Sequence, residues 1–182
     1  RIFAIESPSY KKIEQVYRAA DVKYELLPLS HDGIDSTALA RTRASVIHTT
    51  PYRSFPTGIT ASANKRHEYI RWSSKKGRII IEDDFESEFS VSPKPKETLY
   101  SLSDYDNVIY MNTFSKTISP ALRVGYMVLP KRLANDFESK LGFYSCTVPT
   151  FEQFVLAQLI NSGDFERHIN RVRRSLRKRL YT

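Results

Sequence analysis

The segment Arg78-Ile79-Ile80-Ile81-Glu82 is an unbroken apolar run with a charge at each end. A strand that is apolar at every residue has no face to offer water, so it belongs inside a sheet covered on both sides. Asn107-Val108-Ile109-Tyr110-Met111 and Arg123 to Leu129 read as two more strands. Arg1 to Ile5, Lys23 to Leu29 and the stretch beginning Ser45-Val46-Ile47-His48 extend the set. Helical segments alternate with them. From about Ser9 to Ala20, the residues Tyr10, Ile13, Val16, Tyr17 and Ala20 recur on one face. A short helix spans about Ser36 to Arg41. Ser62 is placed to cap a helix running to Lys76, with Gly77 where a C′ glycine belongs. Three further helices, Lys131–Leu141, Thr150–Asn161 and Asp164–Leu180, close the chain. Strands separated by helices predict an α/β fold with a mainly parallel sheet and crossover helices. In such sheets ligands bind beyond the carboxyl ends of the strands, which makes the residues after each strand the ones to read for chemistry.

Composition narrows the function classes. No stretch approaches the 18 apolar residues of a membrane-spanning helix, and the first residues carry no cleavable leader pattern. Arg1 in place of an initiator Met suggests a piece of something longer. The single cysteine, Cys146, permits no internal disulfide, which points to a reducing, cytoplasmic setting, with the thiol read as unreactive. The net charge of +8 invites a nucleic-acid reading, but residues 163–182 hold seven Arg and Lys against two acids, so the basicity is mostly local. Phe165, Ile169, Val172, Leu176 and Leu180 form an amphipathic stripe there, the pattern of a docked helix with a solvated basic face.

Three strand ends carry suggestive residues. Glu82-Asp83-Asp84-Phe85-Glu86-Ser87-Glu88-Phe89 follows the triple isoleucine. Asn112-Thr113-Phe114-Ser115-Lys116-Thr117 follows the next strand, and Pro120-Ala121-Leu122-Arg123-Val124-Gly125-Tyr126 leads into the last. Paired acids after an apolar strand suit a nucleotide-hydrolysing site, but no glycine here opens or closes the phosphate loop such a site needs. The four histidines, His31, His48, His67 and His168, lack metal-ligand spacing and read as surface or packing residues.

Together these stretches resemble fold type I pyridoxal-phosphate enzymes. They resemble more closely the aminotransferase-like domain of the MocR/GabR group of GntR-type bacterial transcription regulators. Glu6-Ser7-Pro8-Ser9-Tyr10 is similar to the group's E-x-P-G-Y segment, with Ser9 for Gly. Thr50 to Gly58 is similar to T-P-x-x-x-F-P-T-G, and Ile81 to Phe89 to I-E-D-D-Y-D-S-E-F. Thr113 to Gly125 follows T-F-S-K-T-x-x-P-A-L-R-x-G, and Gly163 to Ile169 follows G-x-x-x-R-H-I. Five motifs in order cover nearly the whole chain.

The resemblance implies pyridoxal 5'-phosphate as cofactor. It makes Lys116 the Schiff-base lysine and Asp83 the carboxylate paired with the pyridine nitrogen. Arg123 and Thr113 contact the phosphate, with Ser115 a weaker third. Phe55 and Phe85 pack near the ring. Phe85 stands where the group usually has Tyr, and Phe55 where many related enzymes have Asn, so neither can hydrogen-bond the cofactor's phenolic oxygen. Asn112 stands where Gly is common, and Tyr52-Arg53-Ser54 replaces Ser-His-Gln.

By the same resemblance, residues 1–162 correspond to the central part of the cofactor-binding large domain. Residues 163–182 begin the helix leading to the small C-terminal domain. A winged helix-turn-helix that binds DNA and most of the small domain are expected outside this stretch. The implied function is sensing of a small amino compound within a homodimeric regulator. A genuine amino-acid aminotransferase is the alternative, and a module without cofactor a third reading.

Overall fold

A computed structural model describes residues 1–85, 87–89 and 97–180. Glu86 in the acidic stretch lies outside the described residues, as do the side chains of Ser87 and Leu180. One sheet holds seven strands: β1 (Phe3–Ser7), β2 (Tyr24–Ser30), β3 (Gly33–Ile34), β4 (Val46–Thr49), β5 (Ile79–Asp84), β6 (Val108–Thr113) and β7 (Gly125–Val128). Their order is β3-β2-β1-β4-β5-β6-β7. The five inner strands are parallel, and β3 and β7 run antiparallel at the two edges. The helices are α1 (Lys11–Ala19), α2 (Ser36–Arg41), α3 (Ala63–Ser73), α4 (Leu99–Leu102), α5 (Phe114–Thr117), α6 (Lys131–Leu141), α7 (Thr150–Asn161) and α8 (Asp164–Leu180).

The register explains the core. Ala4, Ile47, Ile80 and Val108 stand in one row across β1, β4, β5 and β6. All four belong to the main hydrophobic cluster with Tyr69, Ile70 and Trp72 of α3 and Leu99 of α4. Because side chains alternate along a strand, the next row, Ile5, His48, Ile81 and Ile109, faces the opposite side. The chain leaves β1 toward β2 on one side and later enters β4 on the other. The order therefore reverses between β1 and β4, the place where open α/β sheets form a crevice.

Several boundaries differ from the sequence reading for local reasons. α3 is capped by Ser62, whose hydroxyl accepts from Lys65 N at 3.1 Å. It ends at Ser73 rather than Lys76, where the hydroxyls of Ser73 and Ser74 turn back onto the carbonyls of Ile70 and Arg71. Lys116, expected from sequence on a loop between two strands, lies on the helical turn α5, which Thr113 caps by accepting from Ser115 N at 3.1 Å. The last strand begins at Gly125, not Arg123. A single 3-10 turn over Pro120–Leu122 precedes it, and Arg123 follows that turn in the left-handed conformation at φ 51°. β3 and α4 carry no apolar period long enough to read from sequence.

α8 docks as the amphipathic stripe predicts. Ile169 is buried and Phe165, Val172 and Leu176 are half-buried, while Arg171, Arg174, Arg177, Lys178 and Arg179 are exposed. Among the described residues no helix is long and apolar enough to cross a membrane.

Candidate functional site

The carboxyl ends of β1, β4, β5 and β6 lie along one edge of the sheet, and the segments that follow them surround a cavity. Its volume is about 360 Å3, within the range of small-molecule sites. Tyr10 and Ile13 reach it after β1, Thr50 and Phe55 after β4, Asp83 and Phe85 from the end of β5, and Lys116 from α5. Strands β5 and β6 are parallel neighbours with Asp83 opposite Met111, so the acid and the amine arise from adjacent strand ends. Of the residues singled out from sequence, Asp83, Lys116, Phe55 and Phe85 thus meet in one cavity.

Thr113, Ser115 and Arg123 do not line that cavity. Thr113 Oγ1 lies 3.1 Å from Ser115 Oγ and 3.0 Å from the carbonyl oxygen of Val124, the residue after Arg123. Phe114 N also donates to Val124 O, at 2.9 Å. The three polar residues therefore occupy one junction, between the end of β6 and the start of β7. Arg123 is exposed and makes no hydrogen bond or ion pair with a described residue. A non-glycine residue in the left-handed region costs on the order of 1 kcal/mol, and such strain concentrates at functional positions.

Two buried carboxylates fix the walls. Glu6 at the end of β1 accepts from Thr49 Oγ1 at 2.9 Å, Ser54 Oγ at 2.6 Å, Thr50 N at 3.3 Å and the Thr50 hydroxyl. This ties the loop from Thr50 to Gly58 onto the first strand. Glu82 accepts from the Tyr52 hydroxyl and from the amides of Leu99 and Tyr100 at 2.7 and 2.9 Å. Burial pushes its carboxyl up. Tyr52 and Ser54 therefore serve as buried anchors and do not line the cavity.

Asp84 points to the other face of the sheet. It is buried and accepts from Tyr110 Oη at 2.8 Å. Asn112 sits beside it, donating to Glu88 Oε1 at 2.7 Å and Tyr110 Oη at 2.8 Å. Glu88 is pushed up by burial and by the nearby Asp84 charge, and its backbone carbonyl accepts from the Arg173 guanidinium of α8.

Sequence reasoning missed the contribution of α1. The sequence places Tyr10 and Ile13 on one apolar helix face without tying them to the site; none of the residues of α1 is buried, and Ile13 and the preceding Tyr10 face the cavity. Tyr10 meets Phe55 edge-on, with ring centroids 5.8 Å apart, at the cavity wall. It also missed His48, which lies 3.5 Å from Asp83 Oδ2 through Nε2 and 3.0 Å from Tyr17 Oη through Nδ1. The usable signal for His48 was its position in a buried row directly beside β5. Among the described residues no cluster of His, Cys, Asp and Glu is arranged to hold a metal ion.

Comparison with known proteins gives one consistent family. Residues 1–181 match the model described as aminotransferase class I and II. The uncharacterized HTH-type transcriptional regulator YdeL of Bacillus subtilis (strain 168) is 32% identical over 96% of this chain and 38% of its own length. The probable rhizopine catabolism regulatory protein MocR of Rhizobium meliloti is 31% identical over 93% of this chain and 34% of its own length. The chain thus spans little more than a third of these regulators. Among solved structures, LysN, the alpha-aminoadipate aminotransferase of Thermus thermophilus complexed with N-(5'-phosphopyridoxyl)-L-leucine, superposes with a TM-score of 0.83. It is 28% identical, over 95% of this chain and 46% of that one.

Proposed function

This chain belongs to the aminotransferase class I and II family, and from that premise we propose that it is the pyridoxal 5'-phosphate-binding, effector-sensing part of a bacterial GntR/MocR-type transcription regulator. The observation that carries the reading is the meeting of Lys116 and Asp83 in one apolar-walled cavity at adjacent strand ends. Similarity to HTH-type regulators over nearly the whole chain supports the regulatory half of it.

The residues present fit the cofactor. Asp83 faces the cavity with its side chain one-quarter exposed, and His48 Nε2 lies 3.5 Å from its Oδ2. Lys116 is exposed and makes no ion pair with a described residue, so its amine is available. When bound, pyridoxal 5'-phosphate supplies an electrophilic carbonyl and a ring that accepts electrons. Lys116 would hold the cofactor through its Nζ, the nucleophile that such a carbonyl requires. The Asp83 carboxylate holds the proton of the pyridine nitrogen in place. At the neighbouring β6–β7 junction, Arg123 would supply a guanidinium fork for the phosphate, with the hydroxyls of Thr113 and Ser115 beside it. Phe55 and Phe85 exclude water from the ring and offer no hydrogen bond to its phenolic oxygen.

In the whole protein, a small amino compound displacing Lys116 shifts the domain between two arrangements of a cytoplasmic homodimer. An N-terminal winged helix-turn-helix then holds DNA differently in each. Such a switch requires the amine to bind one arrangement more tightly. The likeness to solved aminotransferases favours a second reading, a genuine transaminase in which the freed Lys116 moves protons on the substrate.

Mixing the intact protein with pyridoxal 5'-phosphate is expected to give an absorption band distinct from that of free cofactor, and Lys116→Ala abolishes it. The same band in the mutant removes Lys116 from the site. Turnover of an amino donor and a keto acceptor by the loaded protein selects the transaminase reading. Release of the band by amines without turnover selects the regulator.

A further inference from the structure

His48 lies in the middle of β4, nine-tenths buried, and pairs across the sheet with Ile5 on one side and Ile81 on the other. Asp83 is two residues beyond Ile81 and therefore on the same face. Tyr17 of α1 covers that face. It meets the imidazole edge-on at 5.8 Å between ring centroids and is wedged against Phe3 at 5.2 Å. Tyr17, His48 and Asp83 thus form a line from a helix, across a central strand, to the cavity wall.

Chemistry gives the line one polarity. An ionised carboxylate only accepts, so the ring nitrogen facing Asp83, Nε2, carries the hydrogen. In a neutral imidazole Nδ1 is then the acceptor, and Tyr17 Oη must donate to it at 3.0 Å. Tyr17 can do so because burial, reinforced by the Asp83 charge, pushes its hydroxyl up to about 12 and keeps the proton on it. At 3.5 Å Nε2 is short of a well-formed hydrogen bond, and it is a buried polar atom with no hydrogen-bond partner among the described residues. A buried N–H without a partner is costly, and Asp83 is the acceptor within reach.

We infer that His48, held in one tautomer by Tyr17, is a positioning residue that aims the Asp83 carboxylate at the cofactor's pyridine nitrogen. The inference rests on the proposed assignment of Asp83. The logic is that of a ligand oriented by the group behind it. Partners of that kind change affinity about tenfold or more when removed. His48 does not itself line the cavity, so its effect is transmitted through Asp83.

The test uses intact protein titrated with pyridoxal 5'-phosphate, reading affinity and the absorption band, with Asp83→Asn alongside. His48→Phe keeps a ring against Tyr17 and deletes Nε2–H. It is expected to weaken binding about tenfold and to shift the band. His48→Gln, whose amide can place an N–H near Asp83, restores both toward wild type. Should His48→Phe fail to fold, Tyr17→Phe, which removes only the hydroxyl, is expected to weaken binding about two- to threefold. Wild-type affinity and an unmoved band in the ring variant, or in Tyr17→Phe where that takes its place, overturn the inference while Asp83→Asn still impairs binding. If Asp83→Asn also binds normally, the reading of the site itself has failed.

Discussion

Asp83 and Asp84 are adjacent on one strand and live in different worlds. Asp83 opens onto a cavity walled by aromatic residues, with an available lysine beside it. Asp84, on the reverse face, is almost wholly buried and takes a hydroxyl from Tyr110 within a network including Asn112 and Glu88. The pleat alone makes this division, since neighbours on a strand point to opposite faces. A charged pair in a sequence is therefore two separate design problems. One acid faces a cavity, and the other holds two strands of the fold together. Glu88, which shares Asn112 with that network, also accepts through its backbone carbonyl from Arg173 of the basic helix α8.

The comparison breaks most readily at Asp83. Asp83→Asn replaces a charged hydrogen-bond acceptor with a neutral one and is expected to weaken pyridoxal 5'-phosphate binding about ten- to hundredfold. The midpoint of urea unfolding without cofactor should stay near wild type. An unchanged dissociation constant in a spectroscopic titration would erase the functional distinction between the two acids.

Asp84→Ala is expected to do the reverse. It removes the buried acceptor of the half-buried Tyr110 hydroxyl and should cost about 1–3 kcal/mol of stability in denaturant unfolding. Cofactor affinity, measured where the variant is folded, should move much less than in Asp83→Asn. Equal loss of affinity in both variants would mean that the two faces are not separable.

Phe85→Tyr sharpens the picture with the smallest change. Phe85 lines the cavity with Asp83, and under the proposed cofactor placement an added hydroxyl there is expected to meet the phenolic oxygen. A new hydrogen bond of about 0.5–1.5 kcal/mol predicts binding about two- to tenfold tighter and a displaced absorption band. Identical binding and spectrum would place that ring edge away from the cofactor.

Much of the scaffold was legible because it rests on short-range rules. The triple isoleucine announced an inner strand, Ser62 announced the start of α3, and the spacing from Phe165 to Leu176 announced how α8 docks. Alternation likewise says that Asp83 and Asp84 face opposite ways. It does not say which one faces the cavity, because that depends on what covers each side of the sheet. His48 was illegible for the same reason. In sequence it is one more residue of a buried strand, and its meaning comes from Tyr17 and Asp83, 31 and 35 residues away. The apolar row of α1 was legible only in part. Periodicity reported an apolar face correctly but could not tell a core from a cavity wall. The turn holding Lys116 depends on one Thr113 hydroxyl capping a four-residue helix, too short to leave a period.

The central claim is that a single lysine bonds the cofactor, and borohydride reduction of the loaded intact protein followed by peptide mass spectrometry tests it directly. The account predicts one phosphopyridoxyl group, on the peptide containing Lys116 and on no other lysine of the chain. A label on a different lysine, or none at all in protein that has bound cofactor, would contradict it.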